Sequence, residues 1–83
     1  MNMSKITIYS TPICPYCTIA KKYFDDKKIK YQEIDVSADQ KKAQEMQEKS
    51  GQLGVPVIII KNEKKEEVII GFDKQKIDQI LNL

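Results

Sequence analysis

Histidine is absent from the sequence, and all 14 positive side chains are lysines, so arginine is absent too. The lack of histidine excludes Cys/His nucleophile pairs, Ser/His/Asp triads and every metal site that uses an imidazole ligand. The lack of arginine removes the planar guanidinium group, which forms bidentate hydrogen bonds with phosphates and base edges. The net charge is only +2 and the two signs are interspersed, so nucleic acid is not an expected partner.

Long apolar runs are also missing. The longest run, "VPVIII", has the length of a strand and is far below the roughly 18 residues of a membrane span, so no membrane partner is expected. No apolar leader segment follows the amino terminus, which predicts a cytoplasmic protein. Residues 1–83 are expected to form one domain, and we expect a monomer. In a reducing cytoplasm, the two cysteines are more often catalytic, redox-sensing or metal-binding than permanently paired.

The first half of the chain shows the periodicities of two strands around a helix. The β-branched run "KITIYS" indicates a first strand, which the prolines of "TPICP" end. A helix is predicted from Pro15, because Cys17, Ala20 and Phe24 then share one face. The alternating segment "IKYQEIDVS" predicts a second strand near a sheet edge.

The second half predicts two strands between two helices. Ser37 and Gln40 form an S-x-x-Q capping box, which predicts a helix that ends at Ser50-Gly51. The run "VPVIII" predicts a central strand, and the charged hairpin "KNEKKEE" leads to a last strand at "VII". Asp73 is the predicted N-cap of a final helix. The buried face of that helix is predicted to consist of Ile77, Ile80 and Leu81.

The element order β-α-β-α-β-β-α predicts an α/β fold. Strands that are joined through a helix should be parallel by the crossover rule, and the last two strands should form an antiparallel hairpin. The result is a four-stranded mixed sheet with helices on both of its faces.

The two cysteines, Cys14 and Cys17, lie in the segment "TPICPYC". A C-x-x-C pair supplies half of a tetrahedral zinc site, and the chain has no further cysteine or histidine to complete it. A disulfide across this short spacing would close too small a loop to stabilise the fold much. The pair could also be two small apolar core residues. Pro12 and Pro15 argue against that, because they build a turn at the end of a central strand, where α/β sheets have their sites.

Electron transfer suits the predicted geometry of this pair. Cys14 lies at the amino terminus of a helix, where unpaired N–H groups and the positive end of the helix dipole stabilise a thiolate. Cys14 is therefore the predicted nucleophile toward a substrate disulfide. Cys17, one turn further, is predicted to stay a thiol until it attacks the mixed disulfide and releases reduced product. Lys21 or Lys22 can add only a weak, screened field.

Three motifs in this order and spacing make the chain resemble a dithiol glutaredoxin, a redox protein of the thioredoxin fold: "CPYC", "GVP" and "GFD". The resemblance implies a sheet order of 2-1-3-4, a cis peptide bond before Pro56, and thiol–disulfide exchange at Cys14. It implies no metal ligand. The substrate-binding residues that it implies are Pro12, Tyr16, Val55, Pro56, Gly71, Phe72 and Asp73.

The segments that bind glutathione in such proteins are different in this sequence. Thr11 stands where they often carry a lysine, and Leu53 and Gly54 precede Val-Pro. Ile70 and Lys74 replace a glycine and an acid of the last motif. The resemblance implies no bound cofactor; the reductant is glutathione or a thioredoxin-reductase-type donor, and the partners are disulfide-containing proteins. The alternative is a carrier that holds an iron–sulfur cluster or a metal ion on the C-x-x-C thiolates.

Overall fold

A computed structural model describes residues 5–62 and 65–81 of the chain. The elements follow in the predicted order as β1 (Lys5–Ser10), α1 (Pro15–Asp26), β2 (Gln32–Asp35), α2 (Gln40–Ser50), β3 (Val57–Lys61), β4 (Glu66–Ile70) and α3 (Lys74–Leu81). β2 is shorter than the alternating segment predicted for it. The predicted hairpin after β3 includes residues 63 and 64, which lie outside the described residues. No described helix is long and apolar enough to cross a membrane.

The four strands form one mixed sheet in the order β2-β1-β3-β4. β1 and β2 are parallel, with Ile8 opposite Glu33. β3 pairs antiparallel with both β1 and β4, so Val57 lies between Tyr9 and Ile70. This arrangement confirms the α/β fold, the strand order 2-1-3-4 and the central position of β3.

The two faces of the sheet carry separate clusters of buried side chains, because successive residues of a strand point to opposite sides. On the first face, α1 and α3 cover Ile6, Ile8, Ala20, Phe24, Ile58, Ile60, Ile69, Ile77 and Leu81. On the second face, α2 covers the smaller cluster of Tyr9, Met46, Val57 and Ile59. Helices on both faces are thus confirmed. Within α3, Ile80 is only partly buried against the first cluster.

The start of α2 corrects one prediction. Its N-cap is Asp39, whose Oδ1 accepts hydrogen bonds from two backbone N–H groups of the first turn, at 3.0 and 3.2 Å. Ser37 instead donates its N–H and its hydroxyl to the Asp35 carboxylate, at 2.9 and 2.6 Å. The predicted capping box of Ser37 and Gln40 is wrong, because Asp35 engages Ser37 in a turn that ends before the helix begins.

The other predicted helix ends are confirmed. Gly51 follows α2 with a φ of 79°, a left-handed conformation that glycine adopts without strain. Its N–H donates to the carbonyl of Gln47 at 2.8 Å. Asp73 precedes α3, and its Oδ1 accepts the N–H of Lys76 at 3.1 Å.

Candidate active site

The three predicted motifs meet at one end of the sheet. Tyr9 and Val57 are directly paired, so the loop after β1 and the residue before β3 leave the sheet side by side. Gly71 follows β4 with a φ of 78°, and its N–H donates to the carbonyl of Pro56 at 2.9 Å. The chain thereby brings the "CPYC", "GVP" and "GFD" segments together, although more than half of the chain separates the first from the last.

Cys14 is the N-cap residue of α1. Its backbone is extended, with φ −95° and ψ 110°, and its Sγ accepts a hydrogen bond from the N–H of Cys17 at 3.2 Å. Pro15 takes the first helical position, where its missing N–H leaves no partner unsatisfied. The sulfur thus faces an N–H donor at the positive end of the helix dipole. The side chain is only half-buried, so a substrate sulfur can reach it.

Cys17 lies in the first turn of α1 and faces the sheet. It is completely buried. Burial raises the pKa of its thiol to about 11, and the neighbouring Cys14 sulfur acts in the same direction. Both cysteines are free thiols. The site therefore combines one accessible sulfur that accepts an N–H donor with one buried sulfur that stays protonated at neutral pH.

The segment before β3 leaves the sheet beside the loop that leads to Cys14. The peptide bond between Val55 and Pro56 is cis, as the resemblance to glutaredoxins implies. Pro56 is buried, and Val55 packs partly buried against the cluster under α2. The carbonyl of Pro56 accepts the N–H of Gly71, which ties this segment to the end of β4.

The remaining predicted site residues divide between the surface and the fold. Pro12 is exposed in the turn after β1, and Tyr16 is exposed on the first turn of α1. Phe72 instead packs against the ring of Tyr23, with the ring centroids 5.5 Å apart. Asp73 uses one carboxylate oxygen to cap α3. Phe72 and Asp73 thus stabilise the fold itself.

Four exposed apolar side chains lie in or directly beside the three motif segments, and we call them the apolar rim: Ile13, Tyr16, Leu53 and Ile70. Ile13, directly before Cys14, is 90% exposed. Ile70 ends β4 opposite Val57, beside the start of β3. Sequence reasoning did not assign Ile13 to the site. The signal was present, because an isoleucine between two prolines occupies a turn in which small and polar residues are usual.

Residues 6–64 match the family model described as glutaredoxin. The chain belongs to the glutaredoxin family. It is 42% identical over 76 residues to an uncharacterized glutaredoxin-like 8.6 kDa protein in the rubredoxin operon of Clostridium pasteurianum, covering 92% of this chain and 96% of that one. The family resemblance of the three motifs is thereby confirmed.

Solved structures confirm the thioredoxin-like fold of this glutaredoxin. A mutant of a thioredoxin-like protein superposes with a TM-score of 0.82 at 31% identity, covering 94% of this chain and 95% of that one. The glutaredoxin-like protein NrdH-redoxin from Escherichia coli gives a TM-score of 0.76 at 21% identity, covering 92% and 93% of the two chains. The second likeness concerns the fold alone.

The described part of this glutaredoxin contains no cluster of metal-ligand side chains. The two thiols are ligands by type, but within residues 5–62 and 65–81 no three Cys, Asp or Glu side chains gather into a group that could hold a metal ion. A metal or a cluster on Cys14 and Cys17 would need its other ligands from outside this set.

A polar network on the α1 side of the sheet escaped sequence reasoning. Glu33 Oε2 accepts hydrogen bonds from Lys21 Nζ at 2.7 Å and from the buried hydroxyl of Ser10 at 2.9 Å. The alternation of apolar and polar residues in β2 predicts only that Glu33 lies on a polar face. The position of Lys21 in the sequence predicts only a weak field that solvent screens. Nothing in the sequence links the three residues, because the pairing of β1 with β2 brings them together.

Proposed function

We propose that the protein is a thiol–disulfide oxidoreductase in which Cys14 is the nucleophile and Cys17 the resolving thiol. The observation that carries this proposal is the contrast between the two sulfurs. Cys14 Sγ accepts an N–H donor at an accessible helix amino terminus, while Cys17 is buried with a pKa of about 11. Membership of the glutaredoxin family supports thiol redox chemistry at this site.

The reaction proceeds through two exchanges. The Cys14 thiolate attacks one sulfur of the substrate disulfide, forms a mixed disulfide, and releases the other substrate sulfur as a thiolate that takes up a proton. Cys17 then loses its proton, and its sulfur attacks Cys14 Sγ and displaces the second substrate sulfur, which is also protonated. The substrate gains two electrons and two protons, and the Cys14–Cys17 pair is left as a disulfide.

As substrates we propose protein disulfides, with a thioredoxin-reductase-type enzyme rather than glutathione as the electron donor. Glutathione carries two carboxylates, and proteins bind such groups through cations and backbone N–H groups. The apolar rim offers apolar surface instead. Lys74, beside the last motif, is already paired with Asp78 at 2.8 Å. The Escherichia coli NrdH-redoxin, which shares the fold, has a thioredoxin-like activity profile, in line with this proposal.

The donor is tested by NADPH consumption during reduction of a protein disulfide. One reaction contains thioredoxin reductase, and a parallel reaction contains glutathione with glutathione reductase. We expect turnover with thioredoxin reductase and little with glutathione. Turnover with glutathione alone would overturn the proposed electron donor, but the proposed oxidoreductase activity would still stand. Failure of the chemically reduced protein to reduce any disulfide, together with a brown colour of anaerobically purified protein, would favour the iron–sulfur carrier instead.

Two serine variants test the roles of the cysteines. Cys14→Ser should lose all disulfide reductase activity, because the remaining thiol is buried. Cys17→Ser should form a mixed disulfide on Cys14 and stop there, because no thiol is left to resolve it. Mass spectrometry after incubation with a peptide disulfide detects the adduct. An adduct on Cys17 of the Cys14→Ser variant, with none on the Cys17→Ser variant, would reverse the assignment.

A further inference from the structure

The resolving step faces an obstacle that the two-cysteine scheme does not remove. Cys17 attacks as a thiolate, yet its thiol is completely buried, and burial disfavours the charged form. Below its pKa, the reactive fraction of a thiol falls tenfold for each pH unit. A positive charge near Cys17 would therefore increase the rate at which product leaves.

Lys21 lies where such a charge is needed. Cys17 and Lys21 are four residues apart in α1, so their side chains are neighbours on one face of the helix. The Lys21 side chain is only 26% exposed, and its Nζ is 2.7 Å from Glu33 Oε2. A cation that is half-buried and tied at its tip is held in place and is less screened than one in free solution.

Glu33, which binds the Lys21 ammonium group, is itself positioned by a hydrogen bond from Ser10. Glu33 lies opposite Ile8, so its side chain points to the face of the sheet that α1 covers. Ser10, two residues after Ile8, points to the same face and is 1% exposed. Its hydroxyl donates to the same carboxylate oxygen that accepts Lys21 Nζ. A buried hydroxyl therefore positions the carboxylate, and the carboxylate positions the ammonium group.

We propose that Lys21, positioned by Glu33 and Ser10, speeds the release of product from the mixed disulfide by stabilising the thiolate of Cys17. Lys21 acts through Cys17 and does not touch the substrate. This inference rests on the proposed function, since it concerns the second of its two steps.

The charges around Cys17 are consistent with this role. The titratable groups that act on Cys17 within the described residues are Cys14 and Lys21. Burial raises the pKa of Cys17, and the charge of Lys21 opposes that rise. The hydrogen bond to Glu33 raises the pKa of Lys21, which favours the charged form of its side chain. The other groups around this ion pair are Tyr31, which acts on Lys21, and Asp35, which acts on Glu33.

In the assisted step, the proton of Cys17 passes to solvent, and Lys21 remains an ammonium throughout. The new sulfur–sulfur bond joins Cys17 to Cys14, and the bond between Cys14 and the substrate breaks. The departing substrate sulfur takes the electron pair and then a proton from solvent. Lys21 gains and loses no bond.

The test follows the two steps separately in a single turnover. The probe is a disulfide between an aromatic thiol and a fluorescent peptide thiol. The aromatic thiolate is the better leaving group, so its absorbance reports the attack by Cys14, and release of the fluorescent peptide reports resolution by Cys17. Lys21→Met should leave the first step unchanged and slow the second about three- to tenfold at neutral pH. Its resolution rate should also rise at a higher pH than in the parent.

Matched variants separate this role from a structural one. Lys22→Met removes the same charge from the next, exposed position of α1 and should resolve like the parent. Lys21→Arg should restore the rate and the pH profile, because arginine keeps the charge and can bind Glu33. Glu33→Gln, which releases Lys21, should slow the second step in the same direction.

The outcomes distinguish the two proposals. Absence of aromatic thiolate release by the parent protein would overturn the proposed function. Normal first and second steps in the parent, with an unchanged resolution rate and pH profile in Lys21→Met, would overturn the role of Lys21 alone. An equal slowing in Lys22→Met would overturn it as well, because the effect would then belong to net charge.

Discussion

At the scale of single residues, the two cysteines show how far surroundings change one kind of side chain. Cys14 caps a helix and is half-buried, while Cys17 lies under the same helix and is completely buried. Tyr9 is a second case of a buried acid. Burial raises the pKa of its hydroxyl to about 12, and the hydrogen bond to Glu45 at 2.9 Å adds to the effect.

These residues predict a loss of stability in alkaline solution. The ordinary pKa of a cysteine thiol, 9.0, rises to about 11 for Cys17 in the folded state. Below pH 9 both the folded and the unfolded chain hold this proton, so the contribution of Cys17 to stability is complete there. Above that pH the unfolded chain ionises first, and the contribution is lost as the pH rises toward 11.

Urea unfolding of the reduced protein across this pH range measures the loss. We expect the free energy of unfolding of the parent to fall by about 2 kcal/mol more than that of Cys17→Ala. The cavity that the variant leaves lowers its stability equally at every pH. In alkaline solution, the stability curve of Tyr9→Phe should run parallel to that of the parent up to about pH 10, the ordinary pKa of tyrosine, and diverge from it above that pH. Parallel curves for the parent and Cys17→Ala would contradict the prediction.

At the scale of elements, each helix begins with a side chain that accepts backbone N–H groups. The acceptors are the sulfur of Cys14 for α1 and the carboxylates of Asp39 and Asp73 for α2 and α3. The N-cap of α1 is thus also the proposed nucleophile. A serine at Cys14 would still cap the helix, so the inactive variant should remain folded.

Two alanine variants compare the observed cap of α2 with the cap that the sequence predicted. Asp39→Ala should lower the free energy of unfolding by about 1 kcal/mol, because it removes the acceptor for two N–H groups. Ser37→Ala should cost less than half as much, because its exposed hydroxyl bonds to Asp35 and not to a backbone N–H of α2. Urea titration of both variants at one pH gives the comparison. A larger loss for Ser37→Ala would favour the capping box.

At the scale of the whole molecule, stability and function occupy different places. The central strand β3 is buried on both faces, with Ile58 under α1 and α3 and Ile59 on the side of α2. The apolar rim lies at one end of this sheet and is exposed. The core therefore holds the two cysteines in position, and the exposed rim is the surface that we propose for contact with a protein substrate.

Two isoleucine variants separate these places. Ile58→Ala should lower the free energy of unfolding by about 2–5 kcal/mol, because it leaves a cavity in the larger cluster. Ile13→Ala should change stability by less than about 0.5 kcal/mol, because the side chain is 90% exposed. Ile13→Ala should nevertheless raise the KM for a protein disulfide, whereas Ile13→Leu should not. If the KM of Ile13→Ala equalled that of the parent and of Ile13→Leu, the Ile13 side chain would have no part in substrate binding.

The sequence by itself determined the order of the elements, the central strand, and the placement of Cys14 outside and Cys17 inside α1. These features follow from local patterns: the spacing of apolar residues and the prolines around Cys14. Such patterns involve residues close together in the sequence, so the elements can be predicted without knowledge of tertiary contacts. The strand order was predicted as well, because the three motifs resemble those of glutaredoxins and that resemblance implies the order 2-1-3-4.

Only the tertiary structure decided which polar groups meet. Asp39 replaced Ser37 as the cap of α2, because Asp35 had already engaged Ser37. Lys21 and Glu33 come together because β2 pairs in parallel with β1 under α1. Hydrogen bonds and ion pairs of this kind depend on strand register and on the direction of each side chain. Residues that are distant in sequence carry no local pattern that would reveal them.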